Sequence, residues 1–401
     1  MSASVVIDRS TIQGACELLL LLIQLPAIAL LLSRLLKGPT RYPPIQPRPS
    51  QPQDIGTVSA VVPTLNEAQR ISPLLVGLSR QSYELREAIV VDSHSQDGTP
   101  ELVKAAGEQD PRFRLIQDDP LPPGWVGRPW ALHTGYLASN PKSEWILGLD
   151  ADTQPHPGLV AGLLEVAQAQ GYDLVSLSPR FILKYPGELL LQPALLMTLV
   201  YRFGPTGTPE TPERVMANGQ CFLCRRSVLD ALGGYAIARS SFCDDVTLAR
   251  YAAQQGYKVG FLDGSEVLKV RMYDGAWDTW QGWGRSLDLK DASSRPQLWQ
   301  DLAFLFAVQG LPLPMMALLL FWQLGGSASP ILGYALGLNA FLVFIRFALG
   351  GAIASAYDRR DAQYPWLFWF SPLADPLAFL RIWLSSTQSS IQWRGREYQA
   401  K

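Results

Sequence analysis

Histidine and cysteine are nearly missing from this chain of 401 residues, which holds three of the first (His94, His133, His156) and four of the second. So few and so scattered, they supply neither a His-rich metal site nor a disulfide scaffold, and the usage suits a reducing compartment. One C-x-x-C pair occurs, Cys221 and Cys224, but no second pair follows at zinc-finger spacing, so ordinary buried thiols are the expectation. Charge is scarce as well, at 17% of residues with a formal net charge of -1, which leaves no basic footprint for nucleic acid. The first strand-like run ends without the G-x-G-x-x-G of dinucleotide folds or the G-x-x-x-x-G-K-[ST] of phosphate-binding loops, disfavouring a dehydrogenase or a P-loop ATPase. With 48% hydrophobic residues, the composition predicts a globular domain joined to membrane segments.

Residues 18–32 read LLLLLIQLPAIALLL and, with their apolar flanks, reach the roughly twenty residues that span a bilayer. Arg34, Lys37, Arg41 and Arg48 follow with no acid until Asp54, which places the next domain in the cytoplasm. Residues 38–53 are Pro-rich and predict a stiff, extended linker. No charge occurs between Leu302 and Ile345, enough chain for two transmembrane helices around a Gly-Gly-Ser turn. A last apolar segment, 366–384, contains Asp375, Arg381 and two prolines, and reads as re-entrant or interfacial. The predicted organisation is an anchor (1–37), a linker (38–54), a catalytic domain (55–275), an amphipathic interfacial segment (276–300), two transmembrane helices (301–354), and the last segment with a basic tail (355–401). A transporter is disfavoured, because intramembrane charge is limited to Glu17, Arg346 and the last segment.

Within 55–275 the runs VSAVV, AIVV, FRLIQ, WILGL and DLVSLS read as strands and 68–81 and 100–109 as helices. This is a βαβα pattern, an α/β fold with a mostly parallel sheet, whose ligands sit beyond the carboxyl ends of its strands. The first strand ends in Pro63-Thr64-Leu65-Asn66-Glu67. The second ends at Asp92, which can accept from a nucleobase or ribose, or belong to a turn whose Ser95 or Asp97 caps the next helix. The fourth runs into Asp150-Ala151-Asp152-Thr153-Gln154, where two carboxylates and an amide oxygen can hold a divalent cation that also takes diphosphate oxygens. Asp244 and Asp245 open an apolar helical stretch, either as capping acids or with one as a general base. The segment around Trp277, Trp280 and Trp283 should lie on the membrane surface and could bring Arg285 toward an anionic ligand.

VVPTLNE, VVDSHSQDGT, LDADTQ and CDDVTLA together resemble the family 2 glycosyltransferases, inverting enzymes with the nucleotide-sugar-binding, Rossmann-like GT-A fold, over residues 58–291. The resemblance implies that Pro63, Glu67 and Asp92 contact the nucleotide, that Asp150, Asp152 and Gln154 hold a Mg2+ or Mn2+ ion and the diphosphate of a UDP- or GDP-sugar, and that Asp245 is the catalytic base, with Asp244 as fallback. Gly127-Arg128-Pro129-Trp130-Ala131 looks like the family's donor-side loop, which often carries Lys in place of Arg128. The Q-x-x-R-W of processive members is missing, since Gln281 and Arg285 are one residue too far apart, and single transfer is expected. The ending Trp393-Arg394-Gly395-Arg396-Glu397-Tyr398 is similar to a subgroup of membrane-bound members. It includes ceramide-glucosyltransferase-like, hopanoid-associated and carotenoid glycosyltransferases. The PPGWVGRPWAL and WxxWGRSLDLKD segments look most like the cyanobacterial carotenoid 2'-O-glycosyltransferases. That implies a membrane-embedded lipid acceptor, a myxol-type carotenoid hydroxyl, with a hopanoid, a ceramide-like lipid or a polyprenyl phosphate as alternatives.

Overall fold

The computed structural model describes residues 9–399 apart from 286, 327–328, 389 and 394–395. The catalytic domain is built on β1 (Val58–Thr64), β2 (Leu85–Asp92), β3 (Phe113–Gln117), β4 (Trp145–Leu149), β5 (Thr153–Pro155), β6 (Leu174–Ser178), β7 (Arg180–Ile182), β8 (Cys221–Arg225), β9 (Val259–Asp263) and β10 (Leu268–Val270), with β11 (Tyr357–Asp358) returning from the far end of the chain. All five strands expected from apolar runs are present. The main sheet has the order β3-β2-β1-β4-β8-β6-β9. Its pairs are parallel except around β8, which runs antiparallel to both β4 and β6. A smaller sheet of order β11-β7-β10-β5 stands beside it.

The sheet is buried on both faces, as the near-continuous apolar strands require. Along β1, Val58, Ala60 and Val62 pack on one side against α2 (Ser72–Ser79), α3 (Thr99–Gln109) and α5 (Leu159–Gln170), while Val61 faces α4 (Gly127–Ala138) on the other. The period-2 alternation of strands does this sorting. It also separates Cys221 from Cys224: three positions apart on β8, they fall in opposite cores as free, buried thiols. Gly135 lets α4 approach closely, since a Cβ there would meet the Val61 and Val91 side chains.

The Pro-rich segment is extended but docked. Ile45 is 1% exposed in the core, its amide donates to the Asp263 carbonyl, and the Arg48 amide donates to that of Gly158.

A second core joins the catalytic domain to the apolar helices. It unites Ile28 and Leu31 of α1 (Arg9–Leu35) with α6 (Pro186–Phe203), α10 (Arg295–Leu305), α12 (Pro330–Ile353) and α13 (Asp375–Thr387). The remaining helices are α7 (Arg226–Leu232), α8 (Asp244–Gln254), α9 (Gly275–Gly282) and α11 (Pro312–Leu324). Three helical stretches are long and apolar enough to cross a membrane: Gln13–Thr40, Pro330–Ala356 and Pro365–Thr387. The first of the two expected C-terminal spans is instead broken, into Arg295–Gly310 and Pro312–Leu324 at 47°. Pro312 and Pro314 lack the amides that a continuous helix needs there. The last segment, expected to be re-entrant or interfacial, is long and apolar enough to span and begins as a 3-10 helix, Pro365–Ala374.

The intramembrane polar groups have structural partners. Glu17 accepts from Ser329 at 2.6 Å, Gln24 and Asn339 exchange hydrogen bonds at 2.9 and 3.0 Å, and Arg346 pairs with Asp375 at 2.8 Å. In the tail, Ser390–Trp393 pairs antiparallel with Arg396–Gln399, and Arg394 and Gly395 lie outside the described residues.

Ile45→Ala should destabilise the protein by about 2–4 kcal/mol, the usual range for truncating a buried Ile. Ile55→Ala, at a side chain 60% exposed, should leave the midpoint unchanged. Thermal melts of the two variants in detergent check this.

Candidate active site

The sheet reverses direction of growth at β1, whose neighbours are β2 on one side and β4 on the other. Loops leaving the carboxyl ends of these strands diverge there and leave a crevice. A cavity of about 830 Å³ occupies it, lined by Pro63, Glu67, Arg70, Arg128, Asp150 and Asp152, with Asn218, Gly219, Asp244 and Asp245 opposite. The loop entering the antiparallel β8 supplies Asn218 and Gly219, and the start of α8 supplies Asp244 and Asp245. Leu149 pairs with Cys221, so the loop entering β8 arrives beside the loop leaving β4, and the Asp150 amide donates to the Gln220 carbonyl at 3.4 Å.

Arg128, at the start of α4, ties these loops together. Its guanidinium donates to Asp150 (Nε to Oδ1, 2.9 Å), to Asp244, and to the Gly219 carbonyl (2.7 Å). Burial opposes its charge, but Asp150, Asp244 and Asp245 outweigh burial and hold it protonated well above the usual arginine range. Gly219 has no room for a side chain, because a Cβ would collide with this guanidinium.

The other acids differ in what they are free to do. The Asp244 side chain is 5% exposed and ion-paired with Arg128. Asp245 is partly exposed to the cavity, and burial, then the charge of Asp244, pushes its carboxyl up to about 7 against the pull of Arg128. Asp152 is pushed up to about 8 by burial, then by Asp150 and Glu67, with Arg70 opposing. Its Oδ1 is buried without a hydrogen-bond partner.

Among the described residues no group of three or more His, Cys, Asp or Glu forms a ready metal cage. A Mg2+-like ion needs none: it binds through one or two carboxylates and completes its shell with phosphate oxygens and water. The orphaned Asp152 oxygen, crowded by Asp150 and Glu67, fits that role.

Two expected site residues, Asp92 and Gln154, are not part of the cavity wall. Asp92 is fully buried and absent from the cavity wall; it accepts from the Ser95 amide at 3.0 Å and the Thr64 hydroxyl at 3.4 Å, so it shapes the turn. Its neighbour Ser93 lines the cavity instead. Gln154 lies on β5, paired with Lys269, and does not reach the cavity wall. Arg285 closes a 3-10 turn, and its side chain lies outside the described part of the structure.

The three tryptophans do not share a face. Trp277 is 70% exposed, whereas Trp283 is 6% exposed and lines the cavity. Helical steps of 100° carry Trp283 about 120° around from Trp277, toward the core. Arg70 was not among the expected site residues. It stands three positions after Glu67, donates to the Met272 carbonyl at 3.2 Å, and lines the cavity, so its place in the strand-end loop was the available signal.

The Asp245 carboxyl in the folded protein has a pKa raised above that of an unfolded chain, so its contribution to stability is full at low pH and lost as pH rises through about 7. Asp245→Asn should therefore raise the thermal midpoint at pH 8, with the gain shrinking to nothing by pH 4. Melts across that range check the sign.

The comparisons with known proteins agree with this geometry. Residues 59–233 match the family described as Glycosyl transferase family 2. The 4,4'-diaponeurosporenoate glycosyltransferase of Staphylococcus haemolyticus is 24% identical over 358 residues, covering 86% of this chain and 89% of that protein. An undecaprenyl-phosphate 4-deoxy-4-formamido-L-arabinose transferase of Pseudomonas aeruginosa is 33% identical over 130 residues, 31% of this chain and 36% of that protein. Among solved structures, a mannosyltransferase from Pyrobaculum calidifontis in complex with GDP-Man and Mn2+ superposes with a TM-score of 0.53 at 20% identity, covering 94% of this chain and 99% of that one. Sheet order, crevice and family match converge: residues 59–233 of this chain are a glycosyl transferase family 2 domain on a GT-A fold.

Proposed function

We propose that the protein transfers one sugar, with inversion, from a nucleotide-sugar to the hydroxyl of a membrane-embedded lipid of carotenoid type. One observation carries this reading. The cavity that holds Asp150, Asp152 and Asp245 continues along Leu196, Leu199 and Val200 of α6 to Leu35 at the end of α1 and Leu349 and Ile353 of α12, two of the helices apolar enough to cross a membrane. An apolar acceptor can stay among these side chains and present only its hydroxyl to Asp245. The basic residues at that end favour a hydroxyl over a phosphate, because Arg41 is paired with Asp263 and Arg214 with Asp301. The similarity to a carotenoid glycosyltransferase over 86% of the chain supports the acceptor class.

In this reading Asp245 accepts the proton of the acceptor hydroxyl while the oxygen attacks the anomeric carbon from the face opposite the nucleotide. Asp244, ion-paired with Arg128, serves in this reading to position that guanidinium, with Asp245 as the base. Pro63 and Glu67 face the nucleotide, and Arg70 and Arg128 face the diphosphate from the cavity wall. Asp152 and Asp150 would hold a divalent cation, Mg2+ or Mn2+, that neutralises charge on the leaving diphosphate.

Mass spectrometry of lipid extracts from cells with and without the gene tests the proposal: one lipid class should gain a single hexose or deoxyhexose. A gain confined to a polyprenyl phosphate would replace the acceptor class. Asp245→Asn should lower transfer by about 100- to 10,000-fold while donor binding persists, measured as nucleoside diphosphate release and by donor titration. Leu199→Asn should impair transfer to the lipid more than to a short soluble alcohol, whereas Leu195, buried in the core beside it, should unfold the protein when changed to Asn.

A further inference from the structure

A second cleft lies away from the active site, between the end of α12 and the start of the last apolar segment. Its walls are Arg180, Tyr357, Asp358, Arg359, Arg360, Pro365, Trp366 and Trp369. The pairing of β11 with β7 fixes it to the catalytic-domain side of the apolar helices.

The charges in this cleft are unevenly satisfied. Asp358 accepts from both Arg360 (2.9 and 2.6 Å) and Lys269 (2.8 Å). Arg180 reaches Glu266 at 2.6 Å through one nitrogen, while its Nε is buried without a partner. Arg359 has no acid among the described residues; its guanidinium lies 4.3 Å over the Phe368 ring and 5.5 Å from the Trp369 ring. Partial burial lowers its pKa, with no counter-charge opposing the shift.

An apolar stripe starts at the same place. Trp366, Phe370, Leu373, Leu377, Leu380 and Leu384 are 40–57% exposed at spacings of three and four, so they line one face of Pro365–Thr387. At roughly 2.0 Å per residue through the 3-10 part and roughly 1.5 Å through α13, the stripe runs about 31 Å, close to the roughly 30 Å of a bilayer's hydrocarbon.

We propose that this cleft binds the headgroup of one anionic phospholipid, its phosphate on Arg359 and Arg360 and its acyl chain along the stripe. Guanidinium groups take phosphate through charge-assisted forks. Tryptophan is favoured at headgroup level, where Trp366 and Trp369 would bracket the phosphate. The same arginines repel the choline of a zwitterionic lipid, which sets the preference. The site is independent of the sugar-transfer chemistry.

Native mass spectrometry of the full chain, released from micelles holding equal phosphatidylglycerol and phosphatidylcholine, tests this. The wild type should retain phosphatidylglycerol at least several-fold over phosphatidylcholine, and the double variant Arg359→Gln, Arg360→Gln should retain both equally. Arg359→Lys, which keeps the charge, should keep most of the preference, and the thermal midpoint of each variant reports its folding. Equal retention of both lipids by the wild type, or an unchanged preference in a folded double variant, overturns the proposal. Displacement of the lipid by millimolar inorganic phosphate would also overturn it, by showing a site for free phosphate.

Discussion

The Arg128 guanidinium donates at once to Asp150, to Asp244 and to the Gly219 carbonyl, and so fastens the loop leaving β4, the loop entering β8 and the start of α8 to one planar fork. These three segments come from separate parts of the chain and bring Asp150, Asp152, Asn218, Asp244 and Asp245 to the cavity wall. A lysine would offer a point charge without the directional donors that three separated acceptors require. The missing Cβ of Gly219 is the other half of the arrangement, because the fork passes through the space that a side chain would fill.

One arginine cannot neutralise every acid near it. Asp150 and Asp244 are paired, while Asp152 and Asp245 face the cavity with burial and like charge working against their ionisation. Such crowding is costly to the fold, and it places two carboxyls with raised pKa at one ligand edge. Functional sites concentrate groups of this kind, since a base near neutrality and a ligand for an incoming cation both need them.

Catalytic domain and apolar helices form a continuous body. Helix α6 contributes Leu189, Leu195 and Met197 to the core shared with α1, α10 and α13, and turns Leu196, Leu199 and Val200 toward the cavity. It is both a core helix and a wall of the passage, its cavity-lining residues Leu196, Leu199 and Val200 sharing one face by their spacings of three and four. The docked linker, with Ile45 in the sheet's core, likewise binds α1 to the domain it precedes.

Much of the fold was legible in the sequence because strands buried on both faces must be apolar without interruption, as WILGL and AIVV are, and because a span must be about twenty apolar residues long. The acids at the ends of β1 and β4 and the start of α8 were legible for the same reason, since a strand end beside a polar loop marks the ligand edge. Strand direction was not. Nothing in CFLCR reveals that β8 runs backwards, yet that reversal delivers Gly219 to Arg128 and sends the two cysteines to opposite cores. Nor could residue order distinguish Asp244 from Asp245, adjacent acids of one type: only packing against α4 pairs one with Arg128 and leaves the other facing the cavity. Asp92 and Gln154 stand at suitable sequence positions but do not line the cavity, because Asp92 is engaged in its own turn and Gln154 lies on a strand paired with β10. Local apolar pattern determined the elements and their ends, whereas the contacts between loops 22 to 116 residues apart were decided by how those elements pack, which the sequence encodes only through the whole core.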